Sequence, residues 1–135
     1  MTDSSTYLLE TSREMADGYK GDCVRHACTL AELLLSEGRA PWIGELRGNV
    51  VRHDRGVIYE PLVAAKRAWN AHYVCCCDGE VYDPIAGVPL PIGQYARQVF
   101  GMDVPLTERF SAEETARLIR EGALQRAVRS RGRGE

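Results

Sequence analysis

Cys23, His72 and Asp83 are the side chains of this sequence whose types and spacing could together break an amide bond. Cys23 opens the stretch GDCVRHACTLAELLLSEG, whose apolar residues recur at helical spacing. A thiol at a helix start feels the positive end of the helix dipole, and a neighbouring imidazolium stabilises its thiolate further. Such surroundings lower a cysteine pKa from about 8.5 to as little as roughly 3.5–7.5. The unpaired backbone N–H groups at a helix start can also hold the oxyanion of an acyl-transfer intermediate.

His72 and Asp83 lie on either side of a turn in AHYVCCCDGEVYDP. Asp78-Gly79 is the dipeptide of a two-residue type I′ hairpin, because both central residues must take positive φ. That loop pairs Cys77 with Glu80, Cys76 with Val81 and Val74 with Asp83. His72 then shares a face with Asp83 and stands diagonal to it, roughly 7–8 Å away at the backbone and within side-chain reach. A three-residue loop would shift the register and part them. A carboxylate on one imidazole nitrogen fixes the tautomer and leaves the other nitrogen to face a nucleophile.

The elements that must position these groups follow from periodicity. Residues 6 to 16 suit a short amphipathic helix ended by Asp17-Gly18. From Cys23 to Ser36, Val24, Ala27, Cys28, Ala31, Leu34 and Leu35 form one stripe, making this the central helix. Residues 42 to 48 read as a strand with a turn at Gly48-Asn49, and 50 to 60 as another strand pair around Asp54-Arg55-Gly56. The segment 60 to 70 is ambiguous between loop and helix. After the hairpin, IGQYARQVF suits a short helix, and Ser111 with Glu114 makes a capping-box start for a last helix over 112–129. The order of helices, antiparallel strands and helices gives an α+β fold.

At 135 residues the chain is about one domain, with 44% hydrophobic and 27% charged residues in the ordinary globular range. A net charge of −2 argues against a nucleic-acid partner. No basic start precedes an apolar run at the N-terminus, and no apolar stretch reaches the roughly 18 residues of a membrane span. The expectation is a cytoplasmic protein, or one delivered into a target-cell cytoplasm without a classical signal peptide. Five cysteines, three of them adjacent, do not make a disulfide scaffold. On a strand Cys75 and Cys77 share one face and Cys76 takes the other, so these three read as small buried hydrophobes.

The order of a Cys at a helix start, a His on one strand and an Asp on the adjacent strand resembles the papain-like superfamily in its broad sense. That superfamily includes transglutaminase-like enzymes and bacterial papain-fold toxins. GDCVRHACTLAELLLSEG and AHYVCCCDGEVYDP carry the resemblance, which spans roughly residues 20 to 95. It implies a papain-like domain over 1–130, with the Cys-bearing helix packed on an antiparallel sheet and C-terminal helices flanking it; the composition of the closing residues RSRGRGE separately suggests a disordered tail over 131–135. It implies Cys23 as nucleophile, His72 as general base and acid, and Asp83 as the residue that orients His72. Trp69 and Tyr73 flank His72 and could wall a substrate cleft, with core packing as the alternative. No cofactor and no metal are implied.

The sequence departs from the cathepsin pattern C-G-S-C-W, and no glutamine precedes Cys23 to complete an oxyanion hole; the first glutamine is Gln94. One donor can be the Cys23 N–H, while the second is open among Tyr19, Lys20 and Asn70. The implied chemistry is acyl transfer from an amide through a thioester. The small size and short α+β core resemble toxin modules that deamidate glutamine on a target protein, with a cognate immunity protein or delivery module as further partners. A second resemblance is to cysteine peptidases that remove leader peptides in ribosomal peptide biosynthesis. Two other readings compete: a non-catalytic binding module or immunity protein with a buried, inert Cys23, and a zinc site. Cys23, His26 and Cys28 fit one helix face poorly as zinc ligands, and adjacent strand cysteines cannot all aim at one ion. His26 reads as a polar-face residue, and His53 is the fallback base if the hairpin register differs.

Overall fold

The computed structural model describes residues 2–15, 23–53, 56–61 and 71–130. The apolar stripe of the central segment forms a helix, α2 (Cys23–Ser36), and a shorter helix, α1 (Ser4–Met15), precedes it. The strands are β1 (Trp42–His53), β2 (Gly56–Pro61), β3 (Ala71–Cys77), β4 (Glu80–Tyr82) and β5 (Leu90–Pro91). Then follow α3 (Ile92–Phe100), β6 (Thr107–Phe110), α4 (Ala112–Arg120) and α5 (Leu124–Ser130). The result is a mixed α+β fold on an antiparallel sheet of strand order β2-β1-β3-β4-β5, with β6 added on β1. Among the described residues no helix is long and apolar enough to cross a membrane.

The sheet has helices on both faces, as the alternation of β3 dictates. Tyr73, Cys75 and Cys77 pack with Ala27, Cys28, Leu30, Ala31 and Leu34 of α2, and with Leu118, Leu124 and Val128 of α4 and α5. Val74 and Cys76 point the other way, into a second cluster with Leu46, Val81 and Tyr95 of α3. Cys75, Cys76 and Cys77 are each fully buried, so the triple cysteine fills both layers of the core.

The hairpin takes the register expected for a two-residue loop, with Cys75 opposite Tyr82, Cys76 opposite Val81 and Cys77 opposite Glu80. Asp78 (φ 53°) and Gly79 (φ 78°) both occupy the left-handed region, as a type I′ turn requires. Arg39, just after α2, holds this turn from outside. Its Nε and one terminal nitrogen donate to Asp78 Oδ2 at 2.9 and 2.7 Å, and the other terminal nitrogen donates to Tyr82 Oη at 2.9 Å.

Three expectations need correction. There is no turn at Gly48-Asn49: β1 runs straight through it, pairing with β3 up to Arg47 and with β2 from Gly48. The ladder changes partner there instead of bending. The last helix is two helices, because Gly122 (φ 67°) ends α4 in a conformation that costs other residues strain. His26 is not on a polar face. It is buried, and its Nδ1 bonds Tyr7 Oη of α1 at 2.9 Å, since α1 covers that flank of α2. The capping box at α4 forms as expected, with Ser111 and Glu114 exchanging bonds at 3.1 Å each.

Candidate active site

Cys23 is the first residue of α2, where the helix directs its unpaired N–H groups. His72 is the second residue of β3, and Asp83 follows the last residue of β4. Pro84 has no N–H to continue the ladder, and the chain turns away from β4 there. The Asp83 side chain caps that turn: the Ile85 N–H donates to Oδ1 at 3.0 Å, while the Ala86 N–H donates to the Asp83 carbonyl at 2.9 Å.

His72 Nε2–H donates to Asp83 Oδ2 at 2.9 Å, so the diagonal reach across the hairpin is made. Both residues are nearly without solvent contact, His72 at 2% and Asp83 at 1% exposure. With Nε2 committed to the carboxylate, Nδ1 is the ring nitrogen left for Cys23, whose thiol hydrogen-bonds His72. The Phe100 ring stands edge-on to His72, with centroids 6.3 Å apart. A second donor reaches the same carboxylate oxygen. Tyr95 Oη–H of α3 donates to Asp83 Oδ2 at 2.5 Å, and Tyr95 is itself 1% exposed.

A further contact to Cys23 comes from the backbone of β3. In a hairpin closed by a two-residue turn, the residues flanking the turn exchange both hydrogen bonds, and every second residue then faces the partner strand. From Cys77 this set runs through Cys75 to Tyr73. Since β4 ends at Tyr82, opposite Cys75, the Tyr73 N–H points past the end of its partner strand. There it hydrogen-bonds the Cys23 sulfur.

These contacts set the ionisation. Burial pushes the Cys23 thiol up, but the His72 hydrogen bond and charge, with the Tyr73 N–H, outweigh it and bring the pKa below the ordinary thiol value. Burial opposes charge on His72 too, yet the charge and hydrogen bond of Asp83, with Cys23, raise it to about 10. Burial raises Asp83, and the His72 charge and hydrogen bond, the Tyr95 hydroxyl and the Ile85 N–H together hold it below the ordinary carboxylate range. Cys23 is the one cysteine of the five that keeps partial exposure, the other four being buried. Burial drives the others the opposite way: Cys28 up to about 12, and Cys75, Cys76 and Cys77 also upward. The arrangement favours a thiolate on Cys23, an imidazolium on His72 and a carboxylate on Asp83.

Tyr73 is 8% exposed and packs in the α2-side core. Burial and the adjacent Glu45 carboxylate, to which its phenol is hydrogen-bonded, push it up to about 12. Its contact with Cys23 is through its N–H. Trp69 lies outside the described residues, as do the oxyanion candidates Tyr19, Lys20 and Asn70. Gln94 bonds its neighbour Gln98 on the exposed side of α3. Among the described residues no group of three His, Cys, Asp or Glu side chains could hold a metal ion. Sequence reasoning passed over Tyr95. The available signal was its place beside Ala96, Val99 and Phe100 on the apolar stripe of a short helix.

The ionisation leaves a mark on stability. His72, raised, contributes stability in full below about 6.5 and loses it as pH climbs towards about 10. Cys23, lowered, contributes in full above 9.0 and loses it as pH falls through its folded value. From the folded Cys23 value up to about 9 the two slopes offset, because a thiolate–imidazolium pair holds as many protons as a neutral thiol and imidazole. Cys23→Ser removes one partner, so its stability should fall from pH 6.5 upward by about 1.4 kcal/mol per pH unit. The wild type should be flat from the folded Cys23 value to near pH 9. Urea melts of both proteins across this range test it, and parallel profiles would rule the pair out.

In comparisons with family models, curated proteins and solved structures, nothing matches this chain.

Proposed function

We propose that this chain is a cysteine-dependent amide hydrolase or acyl transferase of papain-like type, acting through a thioester, and that it deamidates glutamine on a target protein as a bacterial toxin or effector. The observation that carries the reading is the linkage of Cys23, the one cysteine that keeps partial exposure, to an imidazole held by a buried carboxylate. A non-catalytic module gives no reason for a single acidic thiol among four alkaline ones.

The steps follow from the pairing. The Cys23 thiolate attacks the amide carbonyl carbon, forming the C–S bond and a tetrahedral oxyanion. The N–H groups at the start of α2 face the developing charge. As the C–N bond breaks, His72 gives its Nδ1 proton to the departing nitrogen. Water then attacks the thioester, passes a proton to His72 and releases a carboxylic acid with the thiolate restored. Asp83 keeps Nε2–H bound throughout and holds the ring in place. Ammonia as leaving group makes a deamidase, a peptide amine makes a peptidase, and an amine in place of water makes a transglutaminase. The small α+β core resembles the toxin modules, and glutamine is the substrate proposed on that ground.

The test is incubation with glutamine-rich proteins, reading ammonia by a coupled dehydrogenase and the substrate by mass spectrometry. Ammonia release with the mass change of amide-to-acid conversion, lost in Cys23→Ser, supports the deamidase. New substrate termini would move the assignment to a peptidase. No Cys23-dependent change in any substrate would count against an amide hydrolase.

A further inference from the structure

Among the described residues, the titratable groups around the His72–Asp83 pair include Cys23, which with that pair carries the mechanism above, and Cys76 and Tyr95, which have no step in it. Cys23 faces it from α2, Asp83 from the end of β4, and Cys76 lies further along β3 on the layer that Asp83 also meets. The remaining group is the Tyr95 hydroxyl of α3, donated at 2.5 Å to the Asp83 oxygen that also accepts from His72 at 2.9 Å. A buried tyrosine needs a partner for its hydroxyl, and many acceptors would serve. Here the acceptor is the atom that decides how strongly the imidazole is held. The Tyr95 ring is fixed edge-on against Phe100, with centroids 5.8 Å apart, and Phe100 stands edge-on to His72 as well.

We propose that Tyr95 is a positioning residue of this site, whose hydroxyl fixes the Asp83 carboxylate and takes up part of its charge, so that His72 keeps its proton less tightly than Asp83 alone would dictate. The role rests on reading Cys23, His72 and Asp83 as the catalytic set. The physics is competition at one oxygen. A donor hydrogen placed at Oδ2 partly cancels the negative charge that stabilises the imidazolium. An imidazolium that holds its proton too tightly is a poor acid towards the leaving nitrogen, so the hydroxyl serves the step in which the C–N bond breaks. Because the proton that moves sits on Nδ1, Tyr95 acts through Asp83 and touches no reacting atom.

The test is the titration of His72 followed by NMR of its ring, in a chain with only three histidines. Tyr95→Phe should move the His72 titration upward by roughly 0.5–1, the equivalent of one neutral hydrogen bond. Site-specific 3-fluorotyrosine at position 95, a stronger donor of nearly the same shape, should move it downward. Opposite displacements by two near-isosteric replacements are not what a packing role would give. If both leave the titration in place, or displace it in the same direction, the role is wrong while the triad stands. If wild-type His72 titrates near its ordinary value and Cys23 holds its proton at neutral pH, the triad fails and takes this inference with it. The fluorotyrosine arm keeps the test open should Tyr95→Phe fold poorly.

Discussion

Cys23→Ser is expected to be as inactive as Cys23→Ala, with amide hydrolysis down roughly 10⁴-fold or more in each. Serine keeps the volume and a hydroxyl in place of the thiol, and in sites where histidine acts as a base that hydroxyl would retain some activity. Here the imidazole is raised to about 10 and is protonated at neutral pH. It has no vacancy for a serine proton. The proposed mechanism requires a nucleophile that has already lost its proton, and only the thiol can do so in this range. The measurement is the rate of ammonia or peptide release from a substrate found with the wild type. A serine variant retaining a tenth of the activity would show that His72 is a neutral base and that the ion pair is absent.

The second large effect falls on Asp83. Asp83→Ala leaves His72 Nε2–H, Tyr95 Oη–H and the Ile85 N–H without their common acceptor, all at a residue with 1% exposure. Breaking a buried charged pair in this way costs about 3–5 kcal/mol. Burial, the largest influence on His72, then acts without its main counterweight and drives the imidazole neutral, so Cys23 keeps its proton. Asp83→Asn separates the two roles. Its single oxygen can accept from His72 and Tyr95, but its amide then meets the Ile85 N–H donor to donor, and the negative charge is gone. Asparagine should therefore lie nearer the wild type in melting temperature and nearer alanine in activity, about 10⁴-fold down. Equal activity for Asp83→Asn and wild type would mean that Asp83 orients the ring without supplying charge.

The hairpin was legible because its register depends on two adjacent residues. Asp78 and Gly79 select the turn, the turn selects the pairing, and the pairing brings His72 onto the face of Asp83. The central helix was legible for the same local reason, and its first residue is Cys23 as read. What failed depended on partners distant in sequence. Gly48-Asn49 is a turn dipeptide by composition, yet β3 and β2 supply continuous partners along β1 and hold it extended. His26 was assigned to a polar face because its partner, Tyr7, belongs to another helix. Tyr95 lies 12 residues beyond Asp83, in a helix whose pattern shows only that its ring is inward. Gly122 is a different case. The stop signal was present, and helical periodicity on both sides masked it.

The most direct measurement is iodoacetamide alkylation of the native protein against pH, with the modified residue located by peptide mass mapping. A thiolate–imidazolium pair predicts that Cys23 reacts first, at a pH well below the ordinary thiol value of about 8.5. It predicts that Cys28, Cys75, Cys76 and Cys77 stay unmodified in the folded chain, and that His72→Ala slows Cys23 near neutrality. An inert Cys23 beside a reactive cysteine of the 75–77 run would contradict it.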